Sequence, residues 1–204
     1  MGVLDLLKGA LKTCARVLKL GSGLQEKTRK QLVADLSRIC GRCQTAFDKV
    51  LVRLKPVKNA ANDPKRLAMA LRQFAADTAT RKAFKPEHLC GEVDNLLVEL
   101  ESNLNPLKYS LDLRRLQEIR RQLRQVGNYD AAIYQSYDDL TRQLDELASQ
   151  ILSGKQDVAG RTEYARHIIS AFEDDLRDTL RGVRETKAII LHGKATATKP
   201  TGTM

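Results

Sequence analysis

Residues 133–154 read IYQSYDDLTRQLDELASQILSG and contain the most regular apolar pattern of the chain. Large apolar side chains recur there at alternating four- and three-residue steps, and they are Ile133, Tyr137, Leu140, Leu144, Leu147 and Ile151. A mean step of 3.5 residues keeps one stripe of an α-helix facing a partner helix, as in bundles and coiled coils. Gly154 follows directly and favours the end of a helix. This stretch therefore predicts an amphipathic helix that packs against others.

The same spacing recurs along the chain and divides it into seven predicted helices. Breaks are predicted at Gly21–Gly23, Lys55-Pro56, Lys85-Pro86, Asn105-Pro106, Gly127-Asn128 and Gly154. Asp63 followed by Pro64 is a strong signal for the start of the third helix. Alternating patterns typical of β-strands are nearly absent.

We predict an all-α fold, an up-and-down multi-helix bundle with long antiparallel amphipathic helices. No amphipathic helix of this kind is stable alone, so all of them must share one core. Residues 1–193 are predicted to form this single domain. Residues 194–204 are rich in Thr, Ala, Gly and Lys and are predicted to be a disordered tail.

The charge of the chain is concentrated at its beginning. The 204 residues include 35 Lys and Arg against 25 Asp and Glu, and residues 1–60 hold thirteen of these bases against four acids. Lys8, Lys12 and Arg16 interrupt the apolar segment that a secretory signal would need, and no stretch is long enough for a transmembrane helix. A mitochondrial presequence is the remaining rival, although Asp5 argues against it. Four Cys without a signal indicate reduced thiols, so we predict a cytoplasmic protein, with peripheral membrane association as an option.

The first twenty residues form a basic amphipathic helix when they are placed at 100° per residue. The candidate residues for binding a membrane or an anion are Leu4, Leu7, Leu11 and Leu18 on the apolar side and Lys8, Lys12, Arg16 and Lys19 on the opposite side. A helix of this type suits an anionic lipid surface, because its bases attract acidic headgroups while its leucines bury. The leading hypothesis is a non-enzymatic bundle that binds such a surface through this helix.

Two other interpretations of the helix remain open. Its leucine side could pack inside the bundle, which is what most amphipathic helices do. The second functional hypothesis is a protein–protein interaction or self-assembly module. Such a module would use the heptad-like stripes of the sixth and seventh helices, form a homo-oligomer or bind another protein, and keep the first helix in its core.

No catalytic, cofactor or metal site is predicted. The chain has no Gly-x-Ser-x-Gly and no phosphate-binding glycine loop. Cys40-Gly41-Arg42-Cys43 resembles the thioredoxin motif in spacing, but it lies in the middle of a predicted helix and not after a strand. We therefore interpret both Cys as small buried apolar residues, and Gly41 as a point where another helix approaches closely. A zinc site would need a second closely spaced pair of ligands, which the chain lacks.

A series of arginines suggests a nucleic-acid hypothesis, because phosphate contacts need such clusters. The series consists of Arg114, Arg115, Arg120, Arg121 and Arg124. Acidic residues lie among them, and no helix-turn-helix or aromatic stacking pattern accompanies them. We expect only non-specific binding of nucleic acid.

Overall fold

The computed structural model describes residues 3–20, 24–78, 89–125, 129–154 and 157–192. Within these ranges the chain forms seven α-helices and no β-strand, which confirms the predicted all-α bundle. The helices are α1 (Val3–Leu20), α2 (Glu26–Asn59), α3 (Pro64–Ala76), α4 (Leu89–Asn103), α5 (Ser110–Gln125), α6 (Tyr129–Ser153) and α7 (Val158–His192). The predicted breaks at Gly21–Gly23, Lys85-Pro86 and Gly127-Asn128 and the predicted tail 194–204 lie outside the described residues.

Local signals place several helix ends correctly. The Asp63 carboxylate accepts hydrogen bonds from the backbone N–H of Lys65 at 2.9 Å and of Arg66 at 3.1 Å, so it caps α3 as expected. Gly154 has a φ of 62°, the left-handed conformation that suits glycine after the last turn of α6.

One predicted helix end is wrong. α2 does not stop at Lys55-Pro56 but continues to Asn59. The ring of Pro56 lies on the exposed side of the helix, and the Pro56 carbonyl still accepts a hydrogen bond from the N–H of Ala60 at 3.1 Å. Val57 is 2% exposed, so burial of the next residue holds the last turn against the core. Tertiary packing here outweighs the local preference of proline for a helix end.

The long helices are oriented by contacts between distant parts of the chain. α6 and α7 form an antiparallel hairpin in which Gln143 donates a hydrogen bond to the Tyr164 hydroxyl at 3.1 Å. α2 also runs antiparallel to α7, because Lys58 pairs with Glu173 at 2.7 Å and Asp48 pairs with Arg184 at 3.5 Å.

α1 runs parallel to α7 and lies in the middle of the bundle. It packs most extensively against α7 and also contacts α2, α4, α5 and α6. Every helix supplies a fully buried leucine to the common core, and these leucines include Leu11, Leu36, Leu71, Leu97, Leu116, Leu144 and Leu176. Among the described residues, no helix combines the length and the apolar character that crossing a membrane requires.

Candidate functional site

The apolar side of α1, predicted as a membrane-binding surface, lies inside the bundle. Leu7, Leu11 and Leu18 are 3%, 0% and 2% exposed, and Leu4 is half-buried against the same core. In this fold these side chains do not reach the surface. They could meet lipid only if α1 left its position, and that would open the centre of the core.

The sequence carried a signal for this burial. Leu6, Ala10, Ala15 and Val17 are also buried, and with the leucines they cover about half of the circumference of α1. A surface helix needs an apolar stripe on one side only, whereas an apolar arc this wide is typical of a helix with neighbours on several sides. The full width of this apolar arc, and not its leucines alone, indicates how enclosed α1 is.

Two of the four predicted cations of α1 form ion pairs within the bundle. Lys8 forms an ion pair with Asp178 of α7 and a second one with Asp5 at 3.2 Å. Lys8 donates hydrogen bonds to both carboxylates, and these bonds, first the one to Asp178 and then the one to Asp5, raise the pKa of Lys8 above its ordinary value. The Nζ of Lys12 lies 3.5 Å from the Oε2 of Glu185, which is also on α7. Carboxylates of α7 thus face the first half of the cationic side of α1.

The remaining two cations are exposed and face solvent. Arg16 and Lys19 form no ion pair among the described residues. Only five residues separate the end of α1 from the start of α2, so Lys27, which is also exposed, belongs to the same end of the bundle. We refer to Arg16, Lys19 and Lys27 as the basic strip.

A second exposed feature spans the turn between α4 and α5 and the first turn of α5, for which the sequence predicted no site. Leu107 is 95% exposed, the highest value among the large apolar side chains described, and Leu111 is 69% exposed. We refer to these two leucines as the apolar tip. Lys108 lies between them, and Arg114 and Arg115 follow one turn later on α5; all three are exposed.

The turn that carries Leu107 is held by several hydrogen bonds. The side chain of Asn105 accepts a hydrogen bond from the N–H of Leu107 at 3.0 Å, and its carbonyl accepts bonds from the N–H of Lys108 at 3.2 Å and of Tyr109 at 3.0 Å. Leu104 is 4% exposed and Tyr109 packs partly against the core, so both ends of the turn are anchored. Leu107 is therefore held away from the bundle by the backbone.

The arginine series of α5 divides into paired and unpaired members. Arg120 is largely buried and pairs with Asp94 at 3.2 Å and with Glu101 at 2.6 Å. Arg121 forms a bidentate pair with Glu118.

Arg114 and Arg115 lie next to the apolar tip and form no ion pair within the described ranges. The side chain of Arg124 lies outside the described residues. The series therefore does not form one continuous phosphate-binding row.

The cysteines predicted to be buried are buried. Cys40 and Cys43 are 0% and 1% exposed, and Cys14 of α1 is 0% exposed. Burial raises the pKa of Cys40 to about 11 and that of Cys43 to about 12, and it also raises the pKa of Cys14. Thiols with such pKa values are protonated and unreactive at neutral pH.

The expectation that another helix approaches Gly41 is wrong. A Cβ atom built on Gly41 would meet no neighbouring atom within 4 Å. Within the described part of the chain, no group of three His, Cys, Asp or Glu side chains is arranged to hold a metal ion.

A cleft of about 520 Å³ lies between α2, α3 and α7. Its charged groups are largely bonded to one another. Glu173 accepts hydrogen bonds from Lys58 and Arg177, and Arg166 donates to the carbonyl of Ala61. The charges of these groups therefore largely compensate one another.

The stripes of α6 and α7, proposed as a self-assembly surface, also point inward. Leu144 and Leu147 of α6 and Leu176 and Leu180 of α7 are at most 6% exposed and belong to the intramolecular core. Association through these stripes would require the bundle to open.

The chain matches no protein-family model, no curated protein and no solved structure.

Proposed function

We propose that this protein is a non-enzymatic helical bundle that binds an anionic membrane surface electrostatically, with α1 remaining in the core. The observation that carries the proposal is the basic strip, because Arg16, Lys19 and Lys27 are exposed and have no carboxylate partner among the described residues. Each base close to an acidic leaflet contributes about 1 kcal/mol of attraction. Three such bases give weak, reversible binding that salt reduces.

This proposal changes the role of α1 from the one its sequence suggests. The leucines of α1 stabilise the bundle. On its cationic side, only Arg16 and Lys19 are available to a partner. The inward direction of the α6 and α7 stripes counts against the self-assembly alternative, since that hypothesis needs them on the surface.

The experiment is co-sedimentation of the full chain with vesicles that contain about 30% anionic lipid or neutral lipid only. We expect binding to the anionic vesicles alone, and weaker binding as salt rises, because exposed charges are screened over ~10 Å at 0.1 M. Arg16→Gln with Lys19→Gln should reduce the affinity by up to about thirtyfold, the equivalent of two bases at about 1 kcal/mol each.

A matched control removes two exposed cations elsewhere. Lys49→Gln with Lys55→Gln makes the same change of net charge on the later half of α2 and should retain most of the binding. Equal losses in the two double variants would reject the basic strip as the site. A wild-type chain that ignores anionic vesicles at low salt would reject the proposed function.

A further inference from the structure

We propose that the apolar tip, Leu107 and Leu111, enters the interfacial region of the anionic bilayer. This inference rests on the proposed function and assigns the apolar part of membrane contact to a place other than α1. Two exposed leucines flanked by three exposed bases are the combination that interfacial binding requires, since apolar burial and charge attraction act together.

The exposure of Leu107 is set by the fold. The hydrogen bonds of Asn105 fix the turn, and the buried Leu104 and the partly buried Tyr109 hold it on both sides. A leucine that is 95% exposed on an anchored turn needs no rearrangement of the core to meet lipid. The leucines of α1, by contrast, would need the bundle to open.

The charges around the tip favour an anionic surface as its occupant. Lys108 lies between the two leucines, and its Nζ is 5.6 Å from the ring centroid of Tyr109. Arg114 and Arg115 lie one turn beyond Leu111, and the half-buried Asp112 is the one acid within the segment 104–115. Long basic side chains beside an inserted leucine can reach acidic headgroups while the leucine remains below them.

The tip and the basic strip belong to neighbouring helices. Leu111 lies in the first turn of α5, which packs directly on α1, and α1 carries Arg16 and Lys19. Arg114 and Arg115 therefore add to the cations that the bundle offers, while Leu107 and Leu111 provide the apolar contact. An apolar contribution makes part of the binding resistant to salt, which charge attraction alone is not.

The sequence makes a direct test possible, because the chain contains no Trp. In the variant Leu107→Trp, the only indole of this 204-residue chain lies at the tip. On addition of anionic vesicles, its emission should shift to shorter wavelength and be quenched by brominated lipid. Met69→Trp is the matched control, since Met69 is 60% exposed on α3, and its emission should not change.

A second measurement uses affinity. Leu107→Ser with Leu111→Ser should lower binding to anionic vesicles by about tenfold or more, the loss expected when two leucines no longer bury. Val52→Ser with Met69→Ser removes two other exposed apolar side chains and should leave binding unchanged. Circular dichroism should show that the bundle remains folded in both double variants.

The possible results separate the two proposals. If anionic vesicles bind the wild type and the Leu107→Ser/Leu111→Ser variant equally, and the Leu107→Trp emission does not shift, the tip inference is overturned and the proposed function stands. If the tip variant loses binding while Arg16→Gln/Lys19→Gln keeps it, the tip is confirmed and the basic strip is rejected. Absence of binding by the wild type overturns both.

Discussion

α1 and the apolar tip contain the same kinds of residue and have opposite positions in the molecule. Both place leucines beside lysine and arginine, yet Leu11 of α1 is 0% exposed and Leu107 of the tip is 95% exposed. α1 is enclosed because five other helices pack around it, whereas Leu107 of the tip lies on a short turn held outside the bundle. A pattern of leucines beside cations therefore does not by itself identify a membrane-binding element.

The largest expected difference between the two regions concerns a buried charge. Leu11→Asp should destabilise the bundle by about 4 kcal/mol or more, because an unpaired carboxylate would stand in the core. Leu107→Asp should change stability by less than about 0.5 kcal/mol, since its side chain is already in water. Urea unfolding followed by circular dichroism measures both. Similar midpoints for the two variants would contradict the position assigned to α1.

Thiol labelling provides a kinetic version of the same comparison. Cys14, on the apolar side of α1, should react with iodoacetamide at least about a thousandfold more slowly than a Cys introduced by Leu107→Cys, because the bundle must open first. Cys40 and Cys43 should be slow as well. Peptide mapping by mass spectrometry identifies each labelled site. Rapid native labelling of Cys14 with an intact helical signal would mean that α1 is releasable.

The contact between α1 and α7 should tolerate little additional volume. A Cβ atom on Gly182 would lie 2.5 Å from Cγ and 2.7 Å from Cδ of Lys8, so Gly182→Val should destabilise the bundle by about 1–3 kcal/mol. Gly9→Ala on α1 is the control, because a Cβ there meets nothing within 4 Å, and it should stabilise the helix by about 0.5–1 kcal/mol. Thermal unfolding of both variants tests the packing; a neutral Gly182→Val would mean that the two helices are further apart.

The smallest expected effect is the pH dependence of the ion pair that joins these two helices. Hydrogen bonds from Lys8 and Arg181 lower the pKa of Asp178 from 3.8 to about 2. A carboxyl whose pKa is lower in the folded state stabilises that state above about pH 4, and this contribution is lost as the pH falls from about 4 to about 2.

Asp178→Asn should therefore flatten part of the decline in the urea midpoint over that pH range. Asp174→Asn changes an exposed carboxylate one turn earlier on α7 and should leave the decline as it is in the wild type. If the two variants behave alike, the Lys8–Asp178 pair does not contribute to stability in solution.

Local patterns in the sequence are sufficient to specify the helices of this protein. Periodicity, the Asp63 cap and Gly154 are local signals, and each acts within one or two turns of a single helix. Of the stripe predicted for α6, Tyr137, Leu144, Leu147 and Ile151 are buried and Leu140 is half-buried against the core, whereas the side chain of Ile133 lies outside the described residues. Burial of Cys40 and Cys43 followed from the same reasoning.

Contacts between distant parts of the chain determine which of these surfaces is exposed. α1 is enclosed because α7 returns beside it about 170 residues later along the chain, where Asp178 meets Lys8 and Glu185 meets Lys12. Burial and ion pairing depend on neighbours from distant parts of the chain, which no local pattern specifies. For the same reason, Leu107 has an unremarkable place in the sequence, and its exposure became evident only from the path of the turn between α4 and α5.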